Sequence, residues 1–333
     1  MIRILDYLWH QAHSYRLHAI PAEFTYLNVR QDVWNVSQRP IPSNWRGIIE
    51  PDEVRRGQFD VAFLHLDQWC TDMLNLRAAP FRIARRVAER NGIPCIVIMH
   101  GTPDSADNRR KILRLIGDLP VVCNSKQAAQ EWDGGGGEGR RVDRHGLPQF
   151  RSIIHGYDVE EFWTQSFDQR DREHVVSICS GGEISAWYHG VPMLHRLRFD
   201  VPLWFYGPTG NKEWLDDYTS YRLMLSKVLI YFSSTQHAPM PGARTEAMLS
   251  GACIVSVPGN DWENYIEHGK TGFIVESYVD AVETLRMLLR DPKMAYNVGK
   301  AGRKVARAAF NKGRFVRDWL ALLVKLGIND TGD

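Results

Sequence analysis

Pro241-Gly242-Ala243-Arg244-Thr245-Glu246-Ala247-Met248-Leu249-Ser250-Gly251-Ala252-Cys253-Ile254-Val255-Ser256-Val257-Pro258-Gly259 reads as a helix opened by one glycine and stopped by another, followed by a short β-branched strand that ends in Pro-Gly. Gly269-Lys270-Thr271-Gly272-Phe273-Ile274-Val275 then reads as a turn and a further strand. A helix that opens on Gly242, Ala243, Arg244 and Thr245 leaves first-turn backbone N–H groups without intrahelical partners. With the helix dipole, such groups suit a phosphate or pyrophosphate. Glu246, about one turn into the helix, is placed to accept hydrogen bonds from a sugar hydroxyl.

Outward from that stretch, short apolar runs alternate with helical ones. Strand candidates are Ile2–Leu8, Phe24–Val29, Asp60–Leu66, Cys95–Met99, Val121–Asn124, Val175–Cys179, Leu203–Tyr206, Val228–Phe232 and Cys253–Val257. Helix candidates are Ala79–Asn91, Asp107–Ile116, Lys126–Trp132, Thr245–Ser250, Val279–Leu289 and Pro292–Ala309. Such alternation predicts an α/β fold with parallel sheets and crossover helices, and two runs of it predict two Rossmann-like domains. The glycine run from Asp133 to Gly139 cannot continue a helix and reads as a loop, and the polar segment Thr164–Glu173 reads as the domain crossing. Phe315, Trp319, Leu322, Leu323 and Leu326 recur at helical spacing in the last amphipathic segment, Phe310 to Leu326.

The 333 residues, 44% hydrophobic and 24% charged, are long enough for two cores. No apolar run reaches the roughly 20 residues of a membrane span, and Ile2–Leu8 reads as a first strand rather than a leader, so a cytoplasmic protein is expected. The five cysteines are scattered within apolar runs without metal-site spacing, which predicts buried, reduced thiols. Asp216-Asp217 does not make an Asp-x-Asp metal signature, and no metal site is expected. A net charge of +2 argues neither for nor against an anionic partner, and eleven Trp suit sugar platforms as well as cores. Arg82, Arg85, Arg86 and Arg90 share a helix face, read as a solvated face, with peripheral membrane contact as the alternative.

The glycine-opened helix resembles the donor-binding signature of retaining GT-B glycosyltransferases of the family-4-like group (glycosyl transferases group 1), which runs Glu, seven residues, Glu, then Ala-Met-x-x-Gly. Glu246 matches the second Glu, and Ala238 stands where the first would be. Val121-Val122-Cys123-Asn124-Ser125 is similar to the family's strand and Ser-capped helix, and Ile154-His155-Gly156-Tyr157-Asp158 to its Pro-Asn-Gly-Val-Asp, with His155 for Asn and Tyr157 for Val. The resemblance covers residues 120 to 275 in order. It implies a GT-B fold: two Rossmann-like domains facing a central cleft, with the C-terminal helix crossing back. The domains would be 1–165 with the returning helix 311–327, and 170–310.

What the resemblance implies for chemistry is transfer of a sugar from a uridine or guanosine diphosphate sugar to an acceptor hydroxyl, with retention and without metal or other cofactor. On the donor side it points to Gly181, Gly182, His189, Tyr206, Gly207, Gly242, Ala243, Arg244, Thr245 and Glu246, with Arg244 as a source of positive charge for the pyrophosphate. His100 and Glu246 are the catalytic candidates; His10, His13, Thr102 and Glu263 fall on the acceptor or sugar side. His10 and His13 stand where the family often has a glycine-rich loop, and the family's Arg and Lys after the first strand of the second domain are replaced by Gly or Ser and by His189. The acceptor, whether glycan, lipid, small molecule or nucleic acid, is set by loops such as Gln31–Glu50 and Asp67–Pro80. Competing readings are a degenerate GT-B nucleotide- or glycan-binding protein without turnover, a sugar-nucleotide epimerase, and a glycosyltransferase of DNA bases.

Overall fold

The protein is described by a computed structural model covering residues 1–30, 33–70, 76–134, 141–179, 186–213, 215, 217–259, 261 and 264–329. Contacts divide the chain into two units: Met1–Gly156 with Gly313–Asp333, and Tyr157–Lys312. The chain thus leaves the first unit at Gly156, and Thr164–Glu173, read from sequence as the crossing, lies inside the second.

The first unit is a parallel sheet of seven strands: β1 (Ile2–Asp6), β2 (Ala22–Leu27), β3 (Trp45–Ile49), β4 (Val61–Leu66), β5 (Cys95–Met99), β6 (Val121–Cys123) and β7 (Phe150–Ser152), in the order β3-β2-β1-β4-β5-β6-β7. The helices between them are α1 (Gln11–Leu17), α2 (Ala79–Arg90), α3 (Ala106–Ile116) and α4 (Lys126–Asp133). Side chains alternate across the sheet, as a period of two requires. On one face Ala62, Leu64 and Leu66 of β4 meet Phe81, Ala84 and Ala88 of α2 and Ile112 and Ile116 of α3. On the other, Val61 and Phe63 of β4, with Ile2 and Ile4 of β1, pack under Phe315, Trp319, Leu322 and Leu323 of the C-terminal helix α10 (Lys312–Lys325). The amphipathic last segment therefore packs into the core of the first unit, alongside Leu17 and Ile20.

The second unit is a parallel sheet of five strands: β8 (Asp171–Ile178), β9 (Leu203–Tyr206), β10 (Val228–Ser233), β11 (Cys253–Ser256) and β12 (Phe273–Ile274), in the order β12-β11-β10-β8-β9. Its helices are α5 (Val191–Leu197), α6 (Tyr218–Lys227), α7 (Gly242–Leu249), α8 (Tyr278–Arg290) and α9 (Pro292–Ala309), and α10 runs Lys312–Lys325. Its core gathers Leu229, Ile230 and Phe232 of β10 with Leu194, Leu285, Leu288 and Val298 of the surrounding helices.

Several elements depart from the sequence reading. Trp45–Ile49, placed within an acceptor loop, is an edge strand with every residue at least partly exposed, so it lacks a clean apolar face. Trp9–Tyr15, which stands where the family often has a glycine-rich loop, gives way at Gln11 to helix α1, which has seven residues, too few to show a 3.6 period. The three-residue strand β7 and helices α5 and α6 also escaped the reading. All five cysteines are buried and unbonded. No helix among the described residues is long and apolar enough to cross a membrane. Arg85 bonds Glu89 and the Leu115 carbonyl and Arg90 the Pro51 carbonyl, so part of the arginine face is tied into its own unit.

Candidate functional site

In an open parallel sheet, ligands sit beyond the carboxyl ends of the strands where crossovers diverge to opposite sides. In the first unit that point lies between β1 and β4, and polar side chains gather there. Asp6 ends β1 and His65 is the penultimate residue of β4; both are fully enclosed. His65 Nε2 lies 2.7 Å from Asp6 Oδ1, and His65 Nδ1 lies 2.8 Å from Nε2 of His100, which follows β5. The Tyr7 hydroxyl donates to the His65 carbonyl and accepts from the His65 amide, both at 2.7 Å, fixing that strand end.

His13 on α1 packs edge-on to His100, ring centres 4.6 Å apart, and to His155, 5.0 Å apart. It is 9% exposed, yet neither ring nitrogen has a hydrogen-bond partner. Burial, with His155 as the next contribution, holds the His13 pKa well below 6.5. Burial, then His13, does the same for His100; burial, then Arg16, for His155. His10 precedes α1, its ring 5.4 Å from that of His100, and Thr102 is buried just past β5. Asn124 Nδ2 donates to His155 Nε2 at 3.1 Å. The structure thus brings His10, His13 and His100 together, and adds Asp6, His65 and Trp9, which sequence reasoning missed. The available signal was polar residues interrupting apolar runs at strand ends.

Ligand atoms of His13, His65 and His100 lie within 4.8 Å of one another. A soft or borderline metal ion accepts three imidazoles. Here it would have to break the His65–His100 hydrogen bond, and the donor set as it stands is arranged around protons.

In the second unit the crossovers diverge between β8 and β10. Gly190 opens α5 with φ +66, and a Cβ there would stand 2.2 Å from the Ser234 carbonyl oxygen just past β10. Ser234 Oγ donates to the His189 carbonyl at 2.8 Å. Burial lowers the His189 pKa to about 4, so its ring is neutral near pH 7 and lacks the charge of the Lys the resemblance would place there. Tyr206 ends β9, and a Cβ on Gly207 would stand 2.3 Å from the Cys179 carbonyl oxygen past β8. Gly207 is therefore a close-approach residue between strand ends.

Helix α7 begins at Gly242, three residues before the sequence candidate, with no side-chain cap at Pro241. Gly242, Ala243 and Arg244 thus make up a first turn that no side chain of Pro241 caps. Thr245 is buried, its hydroxyl turned to the Pro241 carbonyl at 3.4 Å. The Arg244 side chain is only 1% exposed and runs inward, Nη1 donating to Ser256 Oγ at 2.7 Å at the end of β11. Glu246 is also buried, and its Oε2 accepts from the Tyr221 hydroxyl of α6 at 2.5 Å. Neither Tyr221 nor Ser256 was anticipated. Gly181, Gly182 and Glu263 lie outside the described residues.

Residues 210–305 match the family model described as Glycosyl transferases group 1. No curated protein matches the chain. Among solved structures it is similar to Anabaena HepE in complex with UDP and glucose, 13% identical over 97% of this chain and 100% of that one, with a TM-score of 0.72. It is similar also to a sucrose-phosphate synthase from Thermosynechococcus elongatus, 13% identical over 98% and 99%, TM-score 0.69. A glycosyltransferase from Rickettsia africae is 10% identical over 99% of each chain, TM-score 0.62. The fold is GT-B, and the glycosyl transferases group 1 match falls wholly within the second unit.

Proposed function

We propose that this GT-B chain is a glycosyltransferase that moves a sugar from a nucleoside diphosphate sugar to an acceptor hydroxyl with retention of anomeric configuration. The observation that carries it is the uncapped start of α7 at Gly242, with Glu246 one turn on, inside the segment that matches the glycosyl transferases group 1 model. A helix start that Pro241 does not cap, with its dipole, suits a diphosphate, and Glu246 beside Tyr221 suits a ribose hydroxyl. Arg244 answers the leaving diphosphate's negative charge from behind the helix start. His189 and the turn at Tyr206 and Gly207 complete the donor side, and His100, with His10, His13 and Thr102, the sugar and acceptor side. The uridine nucleotides held by HepE favour a uridine diphosphate sugar as donor.

Thermal stabilisation of the purified protein by UDP, GDP and their sugars tests this. A ligand at a hundredfold its Kd stabilises by about 2.7 kcal/mol, enough for one base to stand out. A rise with UDP and its sugar is expected, and no rise with any nucleotide removes the donor site. The competing reading is a nucleotide-holding protein without turnover. Ala238 at the missing Glu position and the inward course of Arg244 favour it. Slow release of UDP from UDP-sugar in water separates the two, because a pure binder shows none. Anomeric configuration of the product, read by NMR, tests retention.

A further inference from the structure

We propose that Trp187, with His237, forms a platform on which the face of a pyranose ring stacks, so that this corner of the second unit recognises a sugar rather than a nucleotide. Naming that sugar as the donor's rests on the glycosyl-transfer reading. The platform itself rests on two loops beyond the carboxyl ends of β8 and β10.

Those strands flank the point where the second unit's crossovers diverge, and one loop comes from each. Trp187 lies between β8 and α5, and His237 between β10 and α7. Tryptophan is highly buried on average, because an indole in water leaves a large apolar surface wet. Among the described residues Trp187 is the one tryptophan left exposed, at 56%. Phe199 is exposed as well, but it follows α5 and so stands at the opposite, amino end of the sheet.

The exposure of Trp187 is not that of a loose loop. The Gly190 amide donates to the Trp187 carbonyl at 3.0 Å, and the Val191 amide to the Ala186 carbonyl at 2.8 Å. Across to the other loop, the Gln236 amide donates to the Tyr188 carbonyl at 3.1 Å and Ser234 Oγ to the His189 carbonyl at 2.8 Å. Residues 186–190 and 234–237 therefore make one fixed surface, and a ligand that lands on it meets little ordering cost.

Three rings shape that surface. Buried Tyr188 is the footing: Trp187 meets it edge-on with ring centres 5.9 Å apart, and His237 tilts against it at 5.8 Å. Trp187 and His237 stand 5.0 Å apart with their planes at 59°, which makes a corner rather than a flat patch. A protein partner favours a broad apolar patch. Here the apolar surface is a single indole, flanked by the exposed polar side chains of Gln236 and His237. A pyranose fits that mixture. Its C–H groups take the electron-rich indole face, and the hydroxyls at its rim meet side chains that can hydrogen-bond. The position agrees, because His237 lies on the loop that leads into Gly242, the helix start assigned to the diphosphate from which a donor sugar hangs.

Two measurements test the platform. The first is isothermal titration of wild type and Trp187→Ala with UDP and with UDP-glucose, with the urea midpoint as a control on folding. Trp187→Ala should bind UDP-glucose about three- to tenfold more weakly while its affinity for UDP is unchanged. His237→Ala should act in the same direction. Equal losses for UDP and UDP-glucose would put the nucleobase on the indole and overturn the proposal. The second measurement follows the Trp187 indole N–H signal in 15N-tryptophan-labelled protein, assigned by its disappearance in Trp187→Phe. A saturable shift with UDP-glucose and none with methyl α-glucoside makes the sugar the donor's; a saturable shift with methyl α-glucoside alone makes it a saccharide that arrives free. If wild type binds no nucleotide, the transfer reading fails, and a saturable shift with methyl α-glucoside still upholds the platform. A Trp187 signal that moves with neither ligand overturns it.

Discussion

At the scale of single residues, Glu246 and Tyr221 are the sharpest test of the donor side. Glu246→Ala removes the group proposed for the ribose and the acceptor of the Tyr221 hydroxyl. Nucleotide affinity should fall about tenfold or more, roughly 1.4 kcal/mol, by isothermal titration with UDP. Unchanged affinity would sink the assignment. Tyr221→Phe takes a donor from a buried carboxylate and should destabilise the chain by about 1–3 kcal/mol. Gly190 is constrained twice, by its φ of +66 and by the Ser234 carbonyl oxygen 2.2 Å from where a Cβ would sit. Gly190→Ala should destabilise the chain by about 2 kcal/mol or more in urea denaturation, and a stability within experimental error of wild type contradicts the close approach. Glu246 was legible because helix signals surround it; Tyr221 was not, because α6 has no strong apolar stripe to set its phase. His65 sits in the run Val61-Ala62-Phe63-Leu64-His65-Leu66, where a single polar residue is easily taken for a tolerated one. Only the pairing of β1 with β4 brings Asp6 to it.

At the scale of elements, legibility followed local chemistry. The α9 bounds, Pro292–Ala309, matched the sequence reading because Asp291 caps the helix and Pro292 opens it. Cys95–Met99 matched because five consecutive buried apolar residues between a proline and a histidine admit little else. Edge strand β3 was missed because Gly47 interrupts it and no face is buried, so its place is decided by pairing with β2 rather than by its own pattern. Helix α10 lies between these cases: its periodicity was plain, but which sheet it covers was not. The structure sets Trp319, 1% exposed, against Phe63 with ring centres 5.0 Å apart. Trp319→Ala should therefore cost about 3–5 kcal/mol in urea denaturation. A loss under about 1 kcal/mol would mean that α10 is not integral to the first unit's core.

At the scale of the whole molecule, sheet orders follow from no local signal; alternation predicts two parallel sheets, and tertiary pairing decides the sequence of strands within each. What does emerge at this scale is an uneven response to acid. In the first unit His13, His18, His100 and His155 are held below 6.5 chiefly by burial, with His18 at about 4. In the second, burial lowers the pKa of His189 to about 4. His18 shows why. Asn44 Nδ2 donates to the Ala22 carbonyl, so Asn44 Oδ1 faces His18 Nδ1–H and the other ring nitrogen, Nε2, is left to accept from the Tyr26 hydroxyl. A second proton on that ring breaks the Tyr26 bond. Each folded pKa lies below the unfolded value near 6.5, so the unfolded chain takes up the proton first as pH falls. The stabilisation is intact above about pH 6.5 and is lost as pH drops toward 4. His18 alone accounts for about 3 kcal/mol over that range. The first unit should therefore open before the second between pH 6.5 and 4.5, seen as earlier loss of hydrogen-exchange protection in β1, β4 and β5 than in β10 and β11. Simultaneous loss in both units, or earlier loss in the second, would show that the histidine cluster does not set the acid limit. His18→Gln, which keeps a side chain able to bond Asn44, should move the first unit's acid transition to lower pH while leaving that of the second in place.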